Sequence, residues 1–190
     1  MPTYNFTLSS WSDNSGSGGS RTWGNPGSAQ VLDGVYSGCT GSFGTSHYLL
    51  GTNPSTLGTS VGANEILTSV KITVNRFNPV GSVSDSQLCL VVGGTVQTSI
   101  NKANTGVFWP LSLAPQTYTF SSSDLATLGI TRTSITSTFG VALAVAFNGN
   151  DTGSVDQISG SFTTIYSPVT TFSEPNSTVY YIPGIGVRSL

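Results

Sequence analysis

Apolar and polar residues alternate with a period of two along several stretches of this chain, and that period predicts strands. One such stretch is 66–77, where Ile66, Val70, Ile72 and Val74 share a face opposite Ser69, Lys71, Thr73 and Asn75. In 83–92, Leu88, Leu90 and Val92 share a face, and Gly93-Gly94 then predicts a tight hairpin turn into Thr95 to Ile100. In 138–147, Phe139, Val141, Leu143, Val145 and Phe147 face one way; Gly140, Ala142, Ala144 and Ala146 face the other, so something is expected to pack closely there. After a polar turn at 148–153, Val155 to Tyr166 reads as a long strand with Ile158, Phe162 and Tyr166 on one side. Shorter strands fit 3–8, 29–36, 46–50 and 178–182.

One segment reads as helix. Ser121 to Asp124 forms a capping box, Leu125 to Leu128 supplies one turn, and Gly129 stops it. Many short strands with regular turns and almost no helix predict an all-β protein, an antiparallel β-sandwich or jelly roll. Residues 12–20 are Ser, Gly, Asn and Asp, a linker by composition. The expected organisation is an N-terminal arm with its linker (1–21), a sandwich domain (22–167) and a Pro-rich C-terminal arm (168–190).

Composition narrows the functional classes. With 190 residues the chain can bury a core without metals or disulfides. Only 7% of residues are charged, so the surface is built of Ser, Thr, Asn and Gln. The six cations are scattered, which argues against nucleic acid as a partner. The apolar run 140–147 is too short to cross a bilayer, and no secretory signal is read at the start, so the expected site of synthesis is a cytoplasm. Cys39 and Cys89 are expected to be free thiols in the core.

Candidate chemistry is sparse. His47 is the only histidine, so a Ser-His-Asp triad would need it. Gly58-Thr-Ser60-Val-Gly62 matches the nucleophile-elbow pattern, but lacks the strand-to-helix context that gives the pattern meaning. Glu65 and Glu174 are the only glutamates, and Asp33, Asp85, Asp151 and Asp156 lie in or near turns, where Asp bonds to backbone. Asp151 and Asp156 are the calcium candidates, without a calcium-loop pattern. No zinc spacing, phosphate loop or dinucleotide fingerprint is present. The expectation is a non-enzyme with no cofactor and no metal.

Several motifs together resemble a β-sandwich domain of tailed-bacteriophage virion proteins. They are Trp23 to Ala29 (WGNPGSA) with Asp33 to Tyr36 (DGVY), then Ser69 to Arg76 (SVKITVNR) and Asp85 to Leu90 (DSQLCL). Asn101 to Ala103, Trp109-Pro110, Ser123 to Leu125, Phe139 to Leu143 and Val155-Asp156 follow in the family's order, across residues 22–167. Where the family often has Trp-Gly after the short helix, this chain has Leu128-Gly129. The resemblance implies a virion structural protein. A single domain with two arms resembles a capsid decoration or cement protein on the capsid surface, with the major capsid protein and further copies of itself (a homodimer or homotrimer) as partners. Arms would supply the contacts, so the interface candidates are Tyr4, Phe6 and Trp11 in the first, and Phe172, Tyr180 and Tyr181 in the second. The alternative is a tail-fibre or receptor-binding module for host surface glycan, which predicts an exposed groove of Trp or Tyr flanked by Asn and Asp.

Overall fold

The computed structural model describes residues 1–167. Phe172, Tyr180, Tyr181, Glu174, the expected strand 178–182 and the whole C-terminal arm lie outside the described residues. Within them the chain forms β1 (Thr3–Asn14), β2 (Trp23–Gly24), β3 (Ser37–Gly41), β4 (Gly44–Thr45), β5 (Tyr48–Pro54), β6 (Glu65–Phe77), β7 (Val83–Val92), β8 (Thr95–Val96), β9 (Ala114–Phe120), α1 (Ser122–Thr127), β10 (Gly140–Phe147) and β11 (Asp151–Tyr166). All the strand pairs are antiparallel, as an all-β sandwich requires.

Two sheets face each other. In the first, β11 pairs β6 along one side, β6 pairs β9, and the other side of β11 takes β3 and the first half of β1. In the second, the order is β1, β5, β10, β7, β8, with β1 now contributing its second half. β1 therefore crosses from one sheet to the other: Thr3 to Thr7 pair with β11, and Leu8 to Asn14 pair with β5.

The core between the sheets follows the alternation. Val141, Leu143, Val145 and Phe147 of β10 meet Val70, Ile72 and Val74 of β6 and Ile158 and Phe162 of β11 in one buried cluster. The turn and cap signals hold: Gly93 and Gly94 both adopt positive φ, at 59° and 79°, joining β7 to β8. Ser121 caps α1, Asp124 closes the capping box, and Gly129 follows at φ 64°.

The N-terminal arm is corrected. Residues 3–14 are a paired strand, not an arm held away from the body. The Ser/Gly segment after it is stitched down as well: Ser17 Oγ donates to the Ser46 carbonyl at 2.7 Å and the Ser20 amide donates to Thr45 at 3.0 Å. Composition suggested a linker, but backbone pairing needs no particular side chain. Phe6 is buried in the core and cannot reach a neighbouring chain. Tyr4 stacks on Phe162 at 5.5 Å and donates to Glu65 at 2.9 Å. Trp11 lies over Gly51, where a Cβ would fall 2.5 Å from the indole, and its Nε1 donates to the Leu8 carbonyl at 2.9 Å. All three interface candidates of this segment hold β1 in the sandwich.

Smaller corrections have local causes. The expected strand 29–36 is a 3-10 turn (Pro26–Ala29) and an irregular loop, and the strand comes later as β3. The hairpin partner of β7 ends at Val96. Ile66 points to solvent because the extra residue Thr68, at the register shift opposite Thr163 and Thr164, reverses the alternation of β6 at that end; Tyr166 is exposed as the last residue of β11. The close packing expected on the small-residue face of β10 comes from Tyr48. It crosses Ala144, from β5 to Gln87 of β7, which its hydroxyl reaches.

Candidate functional site

The polar residues inside the sandwich bond mainly to one another, with the Arg76 Nε left unpaired. Asp85 is fully buried and accepts from Arg76, from Tyr118 Oη at 2.6 Å, from Trp109 Nε1 at 2.8 Å and from the Asn104 amide at 2.9 Å. The Arg76 guanidinium lies 4.9 Å from the Trp109 ring centroid and 5.6 Å from that of Tyr118. Burial, and then the Asp85 charge, push the Tyr118 phenol far above its ordinary range. Every acceptor lobe of Asp85 faces a donor of the fold, so this group binds the sheets together and has no opening for a substrate.

His47 is likewise engaged. Its Nδ1 lies 2.7 Å from Asp13 Oδ2, Asp13 Oδ1 accepts from the Trp23 amide at 2.8 Å, and Trp23 Nε1 donates to the His47 carbonyl at 2.9 Å. The pair clamps the end of β1 to β2 and to the start of β5. Ser60 sits in an exposed 3-10 turn (Gly58–Ser60) packed against the turn Arg132–Ser134, beyond the far end of β5. Seven residues of strand span about 23 Å, so the triad is not assembled. Cys39 and Cys89 are buried free thiols, pushed up to about 12 and about 11 by burial, and neither is a nucleophile in that state.

The candidate calcium ligands serve loops. Asp151 accepts from the Ser82 amide at 3.1 Å and its hydroxyl at 2.9 Å. Burial alone would raise its carboxyl, but donors from Asn78, Ser82 and Thr152 outweigh burial and hold it below the ordinary range. Asp156 accepts from the amides of Asp33 and Gly34 at 3.1 and 3.3 Å. Among the described residues no group of three His, Cys, Asp or Glu could hold a metal.

Among the described residues, two surfaces offer the most to a partner, beside a shorter exposed apolar loop at Val31, Leu32 and Val35. The first is the loop end of the sandwich, where 77–82, 105–113 and 147–151 converge. The Asn78 amide donates to Pro110 at 2.8 Å, and that of Asn148 to Ser82 at 2.9 Å. These loops, with the turn between β3 and β4, expose Phe43 (69%), Val80 (68%), Leu111 (67%), Val107 and Phe108, plus Leu113. The loops are fastened from below: Asp151 holds Ser82, Asp85 holds Asn104, and the Trp109 amide donates to Val83 at 2.7 Å.

The second is a shallow groove of about 560 Å³ on the outer face of the first sheet, lined by Asn5, Phe6, Thr7, Ser55, Lys71, Thr73, Thr117, Gln157, Ser159, Gly160 and Ser161. The register builds it in rows. Thr7, Ser159, Thr73 and Thr117 lie side by side, and so do Asn5, Ser161, Lys71 and Thr119. Three strand spacings make each row about 14 Å long. Gln157 and Asn75 form the next row, and beyond it on the same face comes Phe77, whose ring meets that of Tyr36 edge-on at 4.9 Å. Of the Trp or Tyr expected to line a glycan groove with Asn and Asp, Trp23 and Trp109 are buried, Trp11 covers Gly51, and Tyr36 is exposed beside Phe77. The sequence showed only the β6 members of these rows, Lys71, Thr73 and Asn75, as the polar face of 66–77, and not their alignment with β1, β9 and β11.

No helix among the described residues is long and apolar enough to cross a membrane. No family model matches the chain. No curated protein matches it. Among solved structures, the chain is similar to the CBM22-1 xylan-binding domain of Paenibacillus barcinonensis Xyn10C, at 13% identity and a TM-score of 0.37, over 84% of this chain and 92% of that one.

Proposed function

We propose that this protein is a non-catalytic virion structural protein, a capsid decoration protein that attaches to a protein shell through the apolar loops at one end of its sandwich. The observation that carries the reading is the set of exposed Val80, Phe108 and Leu111 on loops fixed by Asp151 and Asp85, with exposed Phe43 on the β3–β4 turn beside them. Apolar side chains held rigid in water mark an association surface, and loops already ordered lose little conformational entropy on docking. The sparse charge around them makes the contact insensitive to salt.

The virion resemblance gains support from how its pieces meet. Arg76, Asp85 and Trp109, drawn from three separate motifs, join in one buried group. Asp33-Gly34 and Asp156, from the first and last motifs, are joined by hydrogen bonds. In this reading the docking surface is the loop end and not the N-terminal segment, and several copies on one shell add avidity.

The test is co-sedimentation of the purified chain with undecorated phage heads. Wild type is expected in the pellet at both low and high salt. A Val80→Asp/Leu111→Asp variant, changed at solvent-facing positions, is expected in the supernatant with its thermal melt intact. Equal pelleting of the two, or wild type remaining in the supernatant, would overturn the proposal.

A further inference from the structure

The groove on the first sheet runs along its outer face, meeting the loop end only at Phe77, and calls for a different ligand. We infer that it is a binding site for an extended neutral polysaccharide, seated on the hydroxyl rows of β1, β11, β6 and β9 and flanked by the Tyr36 ring.

The chemistry selects the ligand by charge and hydrogen-bonding type. The floor offers hydroxyls and amides, each able to donate and accept, with Lys71 as the one charge in the lining. A nucleic acid needs several clustered cations, and a protein interface needs an apolar centre. This floor has neither. A neutral chain of sugar hydroxyls can exchange hydrogen bonds with these side chains without needing a counter-charge. The groove volume, about 560 Å³, falls in the range of small-ligand sites. The floor is also held in place: Thr73 and Thr117 share a hydrogen bond at 3.0 Å, Ser55 Oγ accepts from the Thr7 amide at 3.1 Å, and Gln157 is tied to the Gln30 carbonyl at 3.4 Å. Preformed rows need little reordering when a ligand arrives. At the end of the groove, Tyr36 is partly exposed and braced against Phe77, giving one apolar ring against which a sugar face can rest.

The experiment is affinity electrophoresis of the full chain in native gels. The gels contain soluble xylan, mannan, mixed-linkage glucan, amylose or dextran, with polygalacturonate and heparin as anionic polymers. Retardation is expected in at least one neutral gel. Tyr36→Ala and Gln157→Ala should each raise the apparent dissociation constant at least tenfold, while Leu111→Asp at the loop end leaves it unchanged. Asn5→Ala, at an exposed position of the lining, serves in place of Gln157→Ala if that variant melts early. Migration unaffected by every neutral polymer, retardation by the anionic polymers alone, or retardation indifferent to the groove substitutions would overturn the inference. None of these outcomes bears on sedimentation with phage heads, which reads the other surface.

Discussion

Replacing Asp85 with asparagine tests whether the buried polar group holds the two sheets together. The carboxylate of β7 receives four donors, from Arg76 on β6, Tyr118 on β9, and Trp109 and Asn104 on the loop between β8 and β9. A neutral amide in its place would leave the Arg76 guanidinium, 3% exposed, without a counter-charge. Breaking a buried pair in this way costs about 3–5 kcal/mol. One amide oxygen also cannot serve four donors, and each neutral donor left unpaired adds about 1–3 kcal/mol, partly overlapping with the first cost. A total near 4 kcal/mol is a large share of the roughly 5–15 kcal/mol available to a folded domain. With a urea slope of about 2 kcal/mol/M, the midpoint should fall by about 2 M. Far-UV circular dichroism is the proper signal, because Trp109 fluorescence reports the substituted site itself. Arg76→Met together with Asp85→Asn should show a coupling energy of at least about 1.5 kcal/mol. A loss below about 1 kcal/mol for the single variant, or additive losses in the pair, would refute the reasoning.

Three further outcomes follow from the packing and the carboxylates. Ala144→Leu should lower stability by about 1–3 kcal/mol in a thermal melt, because the Tyr48 ring already occupies the space above Ala144. Gly160→Ala should lower the melting temperature, since its Cβ would lie 2.4 Å from the Phe6 ring and 2.8 Å from the Lys71 carbonyl. The carboxyls of Glu65, Asp124 and Asp151 are held below their ordinary values of 4.5, 3.8 and 3.8. A depressed carboxyl binds its proton more weakly in the folded state, so its stabilisation is present above the ordinary value and fades as pH falls through the lowered one. The melting temperature should hold above pH about 5 and drop progressively below about 4, and for Glu65 the cause is first the Thr164 hydroxyl.

What could be read from the sequence depended on side chains whose local pattern decided their place. β10 is an example: its odd-numbered apolar residues all enter the core, and the small residues opposite them foretold close cover. The cap of α1 was legible because Ser121 and Asp124 satisfy each other within one turn. β1 was half legible. Its alternation at 3–8 showed, but Ser12 to Asn14 carry no strand signal and are held by β5 and by the Asp13 contacts with Trp23 and His47, distant in sequence. β9 was missed, because Ala114 to Thr117 have no apolar alternation and pair only by virtue of the β6 edge. The site was less legible than the fold. The loop end depends on three loops converging, and the groove on four strands falling into register. Neither relation exists until the sheets form.

The proposed attachment to a particle runs through the apolar loop end. Hydroxyl-radical footprinting of the protein, free and bound to purified phage heads, tests it most directly. Phe43, Val80, Phe108 and Leu111 should be protected on binding, with Ile66 and Tyr166 at the opposite end unchanged. Protection at Ile66 and Tyr166 with the loop residues still reactive would contradict it.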